Sequence, residues 1–313
     1  MGIGARIEPE QGQSSKEVKE AQYNIVVPKY SLLDLIIPTT TSASIADFLA
    51  YKKHEQLIFK DWGLEQTHRH QRQTAINFYG ASGTGKTMAA HAIAKELQQP
   101  LIVVDYASLE SKYVGETSKN ITEIFRQAKE QQAIIFFDEA DAVLSRRVTN
   151  MSHATDVSVN QTRSVLLTLM NDHQGLIIFT TNFIENYDPA FMRRILAHIH
   201  FELPDLECRE RLWSKYIPSI LPHNIEIKKL AEISEILSGS DISSCVLKAA
   251  MSAARQSHQN LQIEHFQQAI DEIMKSKMAN TNNRFETKIE KRIVSEDYVK
   301  SQISEEKIQE LKQ

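Results

Sequence analysis

The densest chemistry in the sequence is the run Gly80-Ala81-Ser82-Gly83-Thr84-Gly85-Lys86-Thr87, which matches a phosphate-binding loop at every fixed position. The chain has only ten glycines in 313 residues, and three of them fall in this run. Such a loop curls so that successive backbone N–H groups face one anion, and the helix that follows adds its positive dipole end. Lys86 suits the β- and γ-phosphates of a nucleotide, and the Thr87 hydroxyl suits Mg²⁺. Ser82, Thr84 and Met88 complete the expected contacts. About fifty residues on, Ala133-Ile134-Ile135-Phe136-Phe137-Asp138-Glu139 reads as a buried strand ending in two carboxylates. Successive strand side chains point opposite ways, so the two acids divide the work. Asp138 is expected to hold the Mg²⁺ shell with Thr87, and Glu139 to polarise an attacking water as general base.

Two further features take meaning from that nucleotide. Leu176–Thr180 leads into Thr181-Asn182, a polar pair at the end of a buried strand, where ligands sit in open sheets. Asn182 can hold the attacking water beside the γ-phosphate, or it can simply cap a loop. Arg193-Arg194 follow Asp188-Pro189-Ala190. Adjacent arginines at a helix end are usually solvated, but a guanidinium facing the γ-phosphate is worth roughly 10³–10⁵ in rate. If Arg193 and Arg194 supply one, a neighbouring subunit's nucleotide is the expected recipient. A kinase or GTPase fits less well, since no Asn-Lys-x-Asp guanine-recognition run occurs.

The elements that must carry these residues read as strand–helix alternation from Thr74 to Leu203. Strands are expected at Ala75–Tyr79, Leu101–Val104, Ala133–Phe137, Leu176–Thr180 and Ile199–Glu202. Ile121, Ile124, Phe125 and Ala128 recur at i, i+3, i+4 and i+7 and mark a helix between the second and third. The fold class is therefore α/β: a three-layer phosphate-loop domain around a parallel sheet, then a small all-α lid. Lid helices are expected at Leu206–Ile217, Lys228–Leu237, Asp241–Ala254 and Ile263–Met274, the third with Ile242, Cys245, Val246, Ala249, Ala250 and Ala253 in one stripe. The expected boundaries are 1–22, a flexible arm; 23–203, the nucleotide-binding domain; 204–275, the lid; and 276–313, a docked helix or an interaction tail. Ile45–Leu57 reads as a helix, and 33–36 as part of the base pocket.

Composition bounds the alternatives. The chain is 42% apolar and 24% charged, with 36 basic against 40 acidic side chains, a balance that disfavours a nucleic-acid coat. Its longest apolar run, Ala133–Phe137, is far short of a membrane span. No signal segment is evident, so a cytoplasmic protein is expected. Cys208 and Cys245 are too few and too far apart for a disulfide framework or zinc site, and core thiols are expected.

In that order, phosphate loop, acid pair, strand-end Asn, paired arginines and helical lid, the sequence resembles the AAA+ ATPases, and within them the AAA clade. Ser111-Lys112-Tyr113-Val114-Gly115-Glu116-Thr117, Phe137-Asp138-Glu139-Ala140-Asp141, Asp188-Pro189-Ala190-Phe191-Met192-Arg193-Arg194 and Ser238-Gly239-Ser240-Asp241-Ile242 carry the resemblance. The resemblance spans roughly residues 30–275 and includes katanin- and spastin-like remodelling ATPases. It implies an ATP- and Mg²⁺-dependent ring, usually a hexamer, that draws a polypeptide client through its pore. Asn182 then looks like sensor 1, Arg193 and Arg194 like arginine fingers, and Lys112, Tyr113 and Val114 like the pore loop that grips substrate. Gly239 and Ser240 stand where the lid approaches the nucleotide and where other branches place a sensing arginine. Arg146, Arg147 and Arg163 match positions near a second pore loop. Leu57–Leu64 is similar to a bacterial single-module branch, whose members are often encoded beside a partner, sometimes a subtilisin-like protease.

Three functions compete at this level: a threading unfoldase, an ATP-dependent assembly switch for a partner protein without threading, and a nucleic-acid motor. The third would use Lys112, Arg146, Arg147 and Arg163 as its cationic surface.

Overall fold

A computed structural model describes residues 23, 25–68, 75–105, 116–145, 154–182 and 187–282. Its centre is a six-stranded sheet in the order β1-β3-β4-β5-β2-β6. The strands are β1 (Ile25–Val26), β2 (Ala75–Tyr79), β3 (Leu101–Asp105), β4 (Ile134–Asp138), β5 (Ile177–Thr181) and β6 (Ile195–His200). All pairings are parallel except β1 with β3, which is antiparallel over two residue pairs.

The helices of this region are α1 (Thr39–Lys53), α2 (Lys86–Glu96), α3 (Glu116–Gln131), α4 (Asp141–Leu144), α5 (Ala154–Asp172) and α6 (Pro189–Met192). Alternate residues along each strand feed opposite layers. Ile135, Phe137, Ile177 and Phe179 pack with Ile121, Ile124 and Phe125 of α3 and Leu166 of α5. Ile134, Phe136, Ile178 and Phe78 pack on the other side with Ala89, Ala90 and Ile93 of α2 and Ile45 and Phe48 of α1. Strands apolar on both faces are what a doubly covered parallel sheet requires. All four residues of the predicted α3 stripe are buried.

The helical continuation comprises α7 (Leu206–Tyr216), α8 (Ile227–Glu232), α9 (Gly239–Arg255) and α10 (Ile263–Asn282). Trp213 is buried edge-on to Phe266 and donates to Ser234 Oγ at 3.0 Å. Ile242, Cys245, Ala249 and Ala253 form the buried face of α9, with Val246 and Ala250 at its half-buried margin. Both cysteines are buried, as expected of core thiols. Compact packing runs through Ile270, and a second unit begins at Asp271, whose described residues continue α10 to Asn282.

Several expected boundaries move. β6 starts at Ile195, not Ile199, because α6 is only four residues long and the chain enters the sheet directly after Arg194. The helix expected over 228–237 stops at Glu232, since Ser234 turns its hydroxyl back to the Leu230 carbonyl at 2.7 Å. α1 begins at Thr39, and Leu57–Asp61 adds a separate π-helical turn. No helix among the described residues is long and apolar enough to cross a membrane.

Candidate active site

The turn from β2 into α2 holds the phosphate-loop residues. Gly80 (φ 136°) and Gly83 (φ 77°) lie in the left-handed half of backbone space that glycine alone enters freely. A Cβ on Gly80 would run into the Phe201 carbonyl, and one on Gly83 into the side chains of Ser238 and Ser240. Gly83 thus admits the N-terminus of α9, and the Ser240 N–H reaches the Gly83 carbonyl at 3.3 Å. Ser238 caps α9 reciprocally with Asp241.

Lys86 opens α2 and is 9% exposed. Its ammonium donates to the carbonyls of Gly80 (2.7 Å) and Ala81 (2.8 Å) and to Asn182 Oδ1 (3.0 Å). Three acceptors match its three donors. Burial lowers its pKa from the ordinary lysine value, and the negative charges of Asp138, Asp141 and Glu139 oppose that shift. A buried cation in a field of carboxylates is suited to exchange its acceptors for phosphate oxygens.

Asp138 ends β4 directly beside the loop. Thr87 Oγ1 donates to its Oδ2 at 3.1 Å, and Thr180 Oγ1 donates to its Oδ1 at 2.5 Å. Glu139 follows with φ 52° and its side chain exposed. Non-glycine residues hold that backbone conformation at a cost of about 1–3 kcal/mol, and such strain collects at functional sites. Its N–H donates to Thr180 Oγ1 at 3.0 Å. Thr181 Oγ1 donates to Asp141, while buried Tyr187 donates to Asn77 at 3.1 Å.

Lys86, Thr87, Asp138, Glu139, Thr180, Thr181 and Asn182 line one cleft of about 290 Å³. Its walls are residues 34–38, the loop residues 82–88, Asp138 and Glu139, 180–182, Glu202, Pro204, and from the helical part Leu212, Lys215, Tyr216, Gly239 and Ser240. Lys215 Nζ bonds the Asp34 carbonyl at 3.0 Å, tying α7 to the segment before α1. Leu33, expected in the base pocket, is 93% exposed and lies outside the cleft, whereas Ile37 and Pro38 belong to it. Oxygen donors from Thr87 and Asp138 beside an N–H-rich loop fit a phosphate chain with a hard divalent cation such as Mg²⁺.

Sequence reasoning missed Thr180, Lys215 and Tyr216. Thr180 had a signal, being the first polar residue of an otherwise apolar strand. Lys215 had none, because its bond to the Asp34 carbonyl crosses 181 positions, and Tyr216 follows it on the same helix with no local pattern.

Arg193 and Arg194 do not line this cleft. They follow α6, which is capped by Asp188 accepting from the Ala190 N–H at 2.8 Å. Arg194 Nε donates to Asn171 Oδ1 and its Nη1 to the Ala190 carbonyl, each at 2.8 Å. Arg163 is buried and donates to Ser145 Oγ and Asn160 Oδ1, so it offers no cation to a nucleic acid. Lys112, Tyr113, Val114, Arg146 and Arg147 lie outside the described residues.

Comparison with known proteins gives a consistent picture. Residues 76–203 match the family described as ATPase family associated with various cellular activities (AAA). The chain is 34% identical over 206 residues to the proteasome-activating nucleotidase of Methanosarcina mazei, covering 63% of this chain and 49% of that protein. It is 36% identical over 184 residues to cell division protein C of Sulfolobus acidocaldarius, covering 56% and 49%. A cell division cycle protein 48 homolog of Archaeoglobus fulgidus is 32% identical over 235 residues, covering 69% and 32%. The chain spans about half the length of the proteasome-activating nucleotidases it matches.

Proposed function

We propose that the chain hydrolyses ATP in this cleft and works as a ring-forming protein remodeller, a reading supported by the match of residues 76–203 to the AAA ATPase family. The carrying observation is a division of charge. Lys86, Thr87, Asp138, Glu139 and Asn182 meet in one cleft, while Arg193 and Arg194 stand outside it. Of the two cations among the described lining residues, Lys86 serves the phosphates and Lys215 is tied to the Asp34 carbonyl at 3.0 Å, so a further cation is called for as the γ-phosphate leaves. Arg193 and Arg194 would supply it to a neighbouring copy.

In this reading Lys86 turns from the Gly80 and Ala81 carbonyls to the phosphates. Thr87 and Asp138 hold Mg²⁺, which neutralises phosphate charge when bound. Asn182, released from Lys86, orients the attacking water, and Glu139 takes its proton at the carboxylate. Gly239 and Ser240 let α9 close against Gly83, so hydrolysis at the loop is felt by the helical part.

The ring is taken to be a hexamer and the setting cytoplasmic. A polypeptide client gripped by Tyr113, and a protease as partner, fit the names of the proteasome-activating nucleotidases. Nucleic acid is a poor client for a chain with net charge −4 whose Arg163 is buried.

The test is the solution mass of the Glu139→Gln protein with and without MgATP, by light scattering behind a sizing column. Glu139→Gln should slow hydrolysis by roughly 10²–10⁴ while keeping binding, and so trap the assembled state. The expected result is a shift to about six subunits. A monomer with MgATP bound would leave Arg193 and Arg194 without a phosphate and would put the assembly switch ahead.

A further inference from the structure

Thr180 sits on β5 with 1% of its surface exposed, in register with Phe78 of β2 and just beyond the last β4–β5 pair, Phe137–Phe179. Position 178 on the same strand face is an isoleucine packed in the core. A valine would match threonine's shape here. A hydroxyl buried so deeply is tolerated only when it is hydrogen-bonded, so its partners are its reason for being there.

A threonine hydroxyl has one proton to give and lone pairs to accept with. Thr180 gives its proton to Asp138 Oδ1 at 2.5 Å and accepts the Glu139 N–H at 3.0 Å. Its backbone carbonyl accepts the Ala140 N–H at 2.9 Å. One residue thus touches three consecutive positions of the turn that ends β4.

We propose that Thr180 is a positioning residue for both carboxylates of the site. This rests on the ATPase reading above. The consequence for Asp138 is directional: Thr180 holds Oδ1 at 2.5 Å, and Thr87 Oγ1, which reaches both oxygens, lies nearer Oδ2 (3.1 Å) than Oδ1 (3.4 Å). For Glu139 the consequence is conformational. Its strained backbone (φ 52°) is pinned by the Thr180 hydroxyl through its N–H, which fixes where the side chain leaves the strand. Asn182 lies two residues further along the same segment, so the end of β5 both carries the residue that holds the water and pins Glu139 at the end of β4.

Thr180→Val keeps the shape and removes the hydroxyl, and Thr180→Ser keeps the hydroxyl and removes the methyl. The two are compared with wild type in the full-length chain, with thermal melting as a check on folding. One readout is steady-state hydrolysis. The other is binding of a fluorescent N-methylanthraniloyl-ATP, titrated with Mg²⁺ and repeated in EDTA.

Displacements near 1 Å in an active site cost up to about 10²-fold. Thr180→Val is therefore expected to lose about 10–100-fold in kcat, with KM for ATP within about threefold. It should need several-fold more Mg²⁺ for half-maximal binding, bind as wild type does in EDTA, and Thr180→Ser should restore both properties. Wild-type kcat and Mg²⁺ half-point in a folded Thr180→Val protein would overturn the inference and leave the ATPase reading standing. So would a Thr180→Ser protein as impaired as Thr180→Val, because shape and not the hydroxyl would then matter. A wild-type chain that neither binds nor hydrolyses MgATP would overturn both.

Discussion

The phosphate end of the cleft and the arginine pair after α6 are both cationic, yet they are built in opposite ways. Lys86 is buried and fully engaged by acceptors of its own chain. Arg193 is exposed and Arg194 half-buried, just after a four-residue helix capped by Asp188, with Arg194 tethered to the Asn171 side chain. A lysine that must grip a phosphate each cycle benefits from a fixed, desolvated place. An arginine that must reach another molecule's nucleotide benefits from a surface position with its fork aimed by a local tether. On the proposed reading, the contrast separates what one chain completes from what a pair of chains completes.

Arg194→Ala tests the contrast most severely. Hydrolysis should fall by roughly 10³-fold or more while MgATP affinity stays near wild type. Mixing it with the Glu139→Gln protein should produce partial activity, since mixed rings pair an intact cleft with an intact arginine. Turnover measured across mixing ratios checks this, and strictly additive behaviour would mean that the arginine acts within its own chain. Lys86→Ala should show the reverse pattern. MgATP binding should weaken by on the order of 10²-fold, the worth of a charge-assisted bond or two, whatever partner it is mixed with. Isothermal titration would read that loss directly.

A smaller effect belongs to the opposite end of the sheet. Burial holds His173 down at about 4, with Lys129 pushing the same way. Its unfolded value is near 6.5. The unfolded chain therefore binds more protons than the folded one between those values, and stability falls as pH drops from about 6.5 toward 4. His173→Gln should flatten that part of the melting-temperature profile and leave hydrolysis near neutral pH unchanged.

The residues legible in sequence are those whose signal is local. The phosphate loop, the Asp138-Glu139 strand end and the α3 stripe all follow from spacing within about a dozen positions, and each stands where the pattern put it. The resemblance placed Gly239 and Ser240 at the cleft, as they are. What spacing could not carry is contact between distant segments. The Lys215–Asp34 bond, the Tyr187–Asn77 pair inside the core and the antiparallel seat of β1 have no local pattern. The misplaced start of β6 has a different cause. The sheet register, Ala75 opposite Ile195, draws the chain in directly after Arg194.

The two-residue β1 has a bearing on how copies of this chain can meet. An uncovered β3 would present the apolar stretch Leu101–Val104 as a template for foreign strands, the usual seed of sheet-on-sheet aggregation. β1 occupies that edge through Ile25 and Val26, and Pro28 follows almost at once with no N–H to offer a further ladder. At the other edge, Thr41 of α1 takes the His200 carbonyl at 2.8 Å. Strand addition thus finds little purchase at either side of the sheet. Crowding many copies together then favours contact through helices and loops over strand pairing, which would guard a chain that assembles as proposed against fibres.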